Sequence, residues 1–228
     1  YGFIGLYIVK PEYRGHGYGH QLWEHALLHL QGVKCVGLEA ASHLITNYAE
    51  WGFKASSQTI RWQLFNPDEE NRAQAAFNQQ DFTTVTGSEI PLEAIKKYDS
   101  EREFTARPHF LSQWLEHQSG KVIALIDKHN NCHGFARIRP CLLPAGEGWR
   151  IGPILADSSM LAEVLILNLL VEHKGVILID SPERNRNAQS LLSSLGFREI
   201  SATTRMYKGS HKAVLTNDVY GLACLELG

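Results

Sequence analysis

Apolar residues along this chain follow two periods, and the switches between them mark out its elements. Residues 3–9, FIGLYIV, form a nearly unbroken apolar run that predicts a buried strand. Over residues 19–31 the spacing lengthens: Leu22, Trp23, Ala26, Leu27 and Leu30 recur at helical intervals, with Gly32 as the stop. VKCVGLEA (33–40) predicts a second strand and QTIRWQLF (58–65) a third. Between them Ser42 is placed to cap a short helix through HLITNYAEW, which Gly52 ends. Residues 66–81 are polar and lose this periodicity, so they divide the chain.

A new series begins at residue 82. FTTVTG predicts a strand, PLEAIKKYDSERE a helix with Pro91 in its first turn, and RPHFLSQWLEHQ a second helix. KVIALID and HGFARIRP, joined through KHNN, predict a hairpin, and GWRIGPILA another strand. SMLAEVLILNLLVEH is apolar on every side, the pattern of a helix buried between sheet layers. GVILID, NRNAQSLLSSLGF and ATTRMYKG then read strand, helix, strand, and VYGLACLEL closes the series as a last strand.

The two series repeat one order of elements. Phe53 of Gly52-Phe53 is followed eight residues later by Arg61, and Phe197 of Gly196-Phe197 is followed at the same distance by Arg205. RIGPILADSS lines up with FIGLYIVKPE and pairs Gly152 with Gly5. The fold expected is α/β with mixed sheets in two tandem domains, at 1–66 and 81–228, joined by a linker at 67–80. The second copy has strands and helices ahead of its RIGP strand, whereas FIGL opens the first. The first domain is therefore expected to lack its opening strands here, with about 60–70 further residues ahead of Tyr1 by ordinary domain size.

Composition narrows the function. The chain is 44% apolar and 20% charged with a net charge of −2, which fits an ordinary globular protein and offers nothing to nucleic acid or an anionic membrane surface. Its four cysteines are scattered without a CxxC pair, arguing against a zinc site or a disulfide framework and for a reducing cytoplasm. His109, His117, His129 and His133 have no metal-ligand spacing, so no metal is expected. No Ser/His/Asp order or G-x-S-x-G elbow is present.

The chemistry concentrates at residues 13–19, YRGHGYG, between the first strand and the first helix. Glycine costs backbone entropy, so a cluster of them marks either a tight turn or a place where something approaches the bare backbone. An anion resting on a helix N-terminus is the functional version of the second case.

VKPEYRGHGYG resembles motif A of the GNAT superfamily of acyl-CoA N-acyltransferases, Q/R-x-x-G-x-G/A, with Arg14, Gly17 and Gly19 at the three fixed positions. NYAEWGF resembles the superfamily's motif B, in which a Tyr stands four residues before the Gly of GF; here it is Tyr48. RIGPILAD, GFREI, TTRMYKG and YGLACLELG resemble the second domain of a tandem branch whose second copy is degenerate. The resemblance implies that pantetheine pairs with the splayed strand end at Tyr7, Ile8 and Val9. It implies a pyrophosphate on the backbone of Gly15, His16, Gly17, Tyr18, Gly19 and His20, with Arg14 adding a charge-assisted bond. Tyr48 becomes the proton donor to the leaving thiolate, and a backbone N–H near Val9 the oxyanion donor. Glu39, on the strand beside the cleft, is the candidate base; a residue ahead of Tyr1 or a water chain is the alternative.

The pattern is incomplete in both copies. Motif B often has Asn seven residues before its Tyr, and Ala41 stands there. The second copy keeps that Asn as Asn185 but has Leu192 at the Tyr position and ADSSMLAE in place of the glycine loop. It is expected to be non-catalytic, with Tyr98, Asp99, Arg107, Asp180 and Arg205 as candidates to line a polar pocket. The resemblance implies an acetyltransferase, cytoplasmic, monomeric or homodimeric, moving acetyl from acetyl-CoA to a small-molecule amine or a protein lysine. A catalytically silent acyl-CoA sensor or scaffold is the alternative from a different class.

Overall fold

The computed structural model describes residues 1–65, 81–103, 106–144, 146–210 and 216–226. The chain forms two compact units, neither continuous in sequence: Tyr1–Gln58, Ala202–Ala213 and Cys224–Gly228 in the first, Thr59–Ser201 and Val214–Ala223 in the second. The division falls inside two strands, β3 (Lys54–Phe65) and β9 (Arg198–Gly209). The boundaries 1–66 and 81–228 remain a proposal about duplicated sequence, and the linker at 67–80 lies outside the described residues.

In the first unit β1 (Gly2–Ile4) runs parallel to β2 (Cys35–Ala40), from Gly2 opposite Val36 to Ile4 opposite Leu38. β9 lies antiparallel on the other side of β2, from Cys35 opposite Gly209 to Ala40 opposite Thr204. Helix α1 (Tyr18–His29) buries Trp23 against Val36, Leu38, Ala40, Phe53 and Met206. Leu27 and Leu30 extend that stripe at helical spacing, while Leu22 turns to solvent at 46% exposure. Helix α2 (Ile45–Glu50) follows a 3-10 turn at Ser42–Leu44, and Ser42 does not cap it. The strand expected over residues 3–9 stops at Ile4 because Leu6 takes φ 54°, a left-handed conformation that breaks the ladder.

The second unit is a sheet in the order β3, β8, β7, β6, β5, β4. These are β4 (Phe82–Thr86), β5 (Lys121–Asp127), β6 (Cys132–Leu143), β7 (Gly146–Ala156) and β8 (Val176–Pro182). Alternation sorts its two faces. Ile123 and Leu125 join the cluster of α5 (Ser159–Leu170) and α6 (Arg186–Ser194). Val122, Ala124 and Ile126 join that of α3 (Leu92–Ser100) and α4 (Pro108–Glu116). The all-apolar α5 thus lies against one face of one sheet, not between two layers.

The VYGLACLEL stretch forms only a short strand, β10 (Val219–Gly221). β7 and β8 pair in parallel from Trp149 opposite Ile177 to Ile151 opposite Ile179, and then part. β10 pairs with β7 beyond that point, Leu222 N–H donates to the Asp180 carbonyl of β8 at 2.7 Å, and Ala156 N–H donates to the Asp218 carbonyl at 3.0 Å. The chain itself therefore occupies the gap between the two diverging strands.

Candidate active site

The glycine loop is built by conformations that only glycine adopts freely. Gly15 (φ 79°) and Gly17 (φ 82°) both lie in the left-handed region, and a Cβ on either would meet nothing within 4 Å. Gly17 is the N-cap of α1, with no side-chain cap bond and no acidic residue in the first turn. The N–H groups of Tyr18, Gly19 and His20, which precede the first i→i−4 bond from Gln21 to Gly17, lie beside that open space. The cradle fits a phosphate group. Arg14 links loop to strand end, its Nε donating to the Val9 carbonyl at 2.9 Å. Gly19 has a different need: a Cβ there would lie 2.8 Å from Tyr7 Oη, so glycine lets the Tyr7 ring close on the helix. His20 sits beside Glu24 and the Trp51 ring, and His16 beside Tyr18.

A cleft of about 320 Å³ opens where β1 leaves β2. The strand end contributes Leu6, Tyr7 and Ile8, and Glu39 and Tyr48 line the opposite side. Val9 is not among the lining residues and meets the site through Arg14. The rings of Tyr7 and Tyr48 lie 5.3 and 5.2 Å from that of Trp23, which connects the cleft to the buried core. Burial, and secondarily the Tyr7 phenol, pushes the Tyr48 phenol above its ordinary pKa; burial alone does the same to Tyr7. Tyr48 thus keeps its proton through neutral pH.

Glu39, the candidate base, is a largely buried carboxylate. Its side chain is 5% exposed and accepts from Arg205 Nε at 2.6 Å and Thr203 Oγ1 at 2.8 Å. Burial works against the Arg205 charge, yet Glu39 raises the guanidinium above its ordinary pKa. Each Glu39 oxygen already holds a partner, so a base role would use a carboxylate already engaged.

Two profiles described as acetyltransferase (GNAT) domains match the chain, one over residues 95–221 and one over residues 2–63. The chain belongs to the GNAT acetyltransferase family. It is similar to the holothin acyltransferase of Pseudoalteromonas sp. (strain SANK 73390), 26% identical over 230 residues that cover 100% of this chain and 74% of the relative. In fold it resembles a candidate acetyltransferase from Pyrococcus horikoshii, at a TM-score of 0.77 and 22% identity, covering 99% of this chain and 72% of that one. It also resembles a tandem GNAT protein from the clavulanic acid biosynthesis pathway, at a TM-score of 0.61 and 14% identity, covering 90% and 74%. Family membership implies an acyltransferase with an acyl-CoA donor.

Among the described residues, the second GNAT copy shows no such opening between β7 and β8. Ser158 caps α5 with its own side chain, accepting from Leu161 N–H at 3.3 Å, and β10 fills the gap between β7 and β8. Leu192 is fully buried, and Asn185 caps α6 through Ala188 N–H while donating to the Asn217 and Val219 carbonyls. Among the described residues, those expected to line one polar pocket are engaged in separate ion pairs and hydrogen bonds. Arg107 pairs with Asp99 and Glu103, Tyr98 donates to Asp157, Asp180 holds Arg61, and Arg205 belongs to the first unit.

Among the described residues, no group of three or more His, Cys, Asp or Glu is placed to hold a metal ion, and no helix is long and apolar enough to cross a membrane. Sequence reasoning missed Thr203, Leu225 and Glu226, which also line the GNAT cleft. Nothing in residues 224–226 signals it. Thr203 and Arg205 were within reach, since Arg61 and Arg205 repeat at equal spacing and each faces an acid, Asp180 or Glu39, in strand register.

Proposed function

We propose that this protein is an N-acetyltransferase that moves acetyl from acetyl-CoA to a primary amine by direct attack in a ternary complex. The observation that carries the reading is the uncapped glycine-loop start of α1 beside a cleft lined by Tyr7 and Tyr48. Acetyl-CoA would supply an activated thioester. Gly15 to His20 would hold its diphosphate through backbone N–H groups, with Arg14 as the charged partner. The backbone of Tyr7, Ile8 and Val9, free of β2, would pair with pantetheine amides, and an N–H near Val9 would donate to the thioester oxygen. Tyr48, kept protonated by burial, would give its proton to the departing sulfur. The amine's proton would leave to Glu39, held in place by Arg205 and Thr203, or along a water chain to solvent.

Thiol release from acetyl-CoA, followed across a panel of primary amines, tests this directly. Amine-dependent release with an N-acetylated product is expected. CoA binding without release for any amine would move the protein to the class of acyl-CoA sensors.

A further inference from the structure

The Tyr7 ring stands edge-on to that of Trp23, with centroids 5.3 Å apart, so the core fixes where its hydroxyl lies. That place is the first turn of α1. A Cβ on Gly19 would lie 2.8 Å from Tyr7 Oη, with Val9 Cγ2 at 3.5 Å and Tyr7 Cζ at 3.7 Å the next nearest atoms. Cβ positions tilt toward the N-terminus of their helix, the end to which the N–H groups also point. Tyr7 Oη therefore lies on the same end of α1 as the open N–H groups of Gly19 and His20.

Among the described residues nothing hydrogen-bonds to this hydroxyl, and burial alone acts on its proton. Trp23 Nε1, buried beside the ring, has no hydrogen-bond partner either, so the indole does not occupy the phenol. Tyr7 is 37% exposed and within reach of a ligand. A protonated phenol has an O–H to give, and a helix start is where backbone N–H groups collect an anion.

Two cavities meet at Tyr7. It lines the cleft of about 320 Å³ and also a recess of about 250 Å³ that His20, in the first turn of α1, lines with it. Trp23, Leu44 and Tyr48 line both as well. A donor with its diphosphate on the glycine loop and its thioester beside Tyr48 would pass Tyr7 on the way.

From this geometry we propose that the Tyr7 hydroxyl donates a hydrogen bond to the diphosphate of the acyl-CoA donor, closing the cradle from the side of β1. The proposal rests on the acyl-transfer reading above and adds a side chain to a cradle otherwise made of backbone and Arg14. Gly19 then serves the site by leaving room for the hydroxyl.

The test is calorimetric titration with CoA and with its 3′-phospho-ADP portion alone. Tyr7→Phe keeps the ring on Trp23 and removes only the hydroxyl. It should raise Kd about tenfold or more for both ligands, as for loss of a hydrogen bond to a charged group. Gly19→Ala gives an independent reading, because its methyl would crowd Oη in the wild type but make only ordinary contacts once Oη is gone. It should weaken CoA by a similar factor in the wild type and change little when added to Tyr7→Phe. Additive losses would place the need for Gly19 at the anion itself and overturn the proposal. Unchanged CoA binding in Tyr7→Phe, or a loss for CoA with none for 3′-phospho-ADP, also overturns it and leaves acyl transfer intact. A wild-type protein that binds no CoA overturns both.

Discussion

The two units carry the same ion pair and the same glycine but opposite clefts. Arg205 faces Glu39 in the first and Arg61 faces Asp180 in the second, each across an antiparallel register. Gly5 and Gly152 each lie where a Cβ would be 2.0 Å from a passing backbone carbonyl, that of Glu226 or Leu222. Yet α1 starts on an uncapped glycine and α5 on Ser158, which bonds its own helix. The segment crossing Gly5 leaves a cleft, while β10 fills the gap beside Gly152. The comparison separates what the fold needs from what ligand binding adds. Both copies keep the pair and the close crossing; the open helix start and the tyrosine belong to one.

The sharpest way to break the comparison is at the two helix starts. Gly17→Trp puts a bulky side chain into the open space at a left-handed position and should abolish CoA binding. Ser158→Ala should leave CoA affinity unchanged and cost about 1 kcal/mol of stability, as for loss of a cap. Tyr48→Phe should lower kcat about ten- to a thousandfold with little change in acetyl-CoA affinity, in line with general acid contributions. Because burial raises the Tyr48 phenol, loss of its proton should lower the wild-type rate on the alkaline side, whereas protonation of the amine acceptor lowers it on the acid side in both enzymes. The variant should lack the alkaline limb; an unchanged kcat would return Tyr48 to a packing role.

The ion pairs sharpen the comparison through stability. Arg205→Met leaves Glu39, 5% exposed, without its guanidinium and should cost about 3–5 kcal/mol in denaturant unfolding. Arg61→Met leaves Asp180 with Arg150 at 3.5 Å and should cost roughly half as much. Equal losses would mean that Arg150 does not compensate. The glycines complete the comparison: Gly5→Ala and Gly152→Ala should each cost about 1–3 kcal/mol by overpacking. Only Gly5→Ala should also change amine KM, because only it displaces Leu225 and Glu226 from the cleft.

Much of this was legible in the sequence because it rests on local signals. The glycine loop, the helix stops and the apolar strands of the second copy each follow from residues a few positions apart. What escaped detection is long-range. Leu6 breaks an apolar run that reads as continuous strand, since apolarity does not report φ. The bond from Arg205 to Glu39 spans 166 positions, and only the repeat's equal spacing hinted at it. Residues 224–226 line the cleft through backbone passing a glycine, a contact that leaves no mark on their own side-chain pattern.

Calorimetric titration of the wild-type protein with CoA tests the central claim, that the open copy binds and the filled copy does not. One CoA per chain is predicted, with no residual binding in Gly17→Trp. Two equivalent sites, or a single site that survives Gly17→Trp, would contradict it.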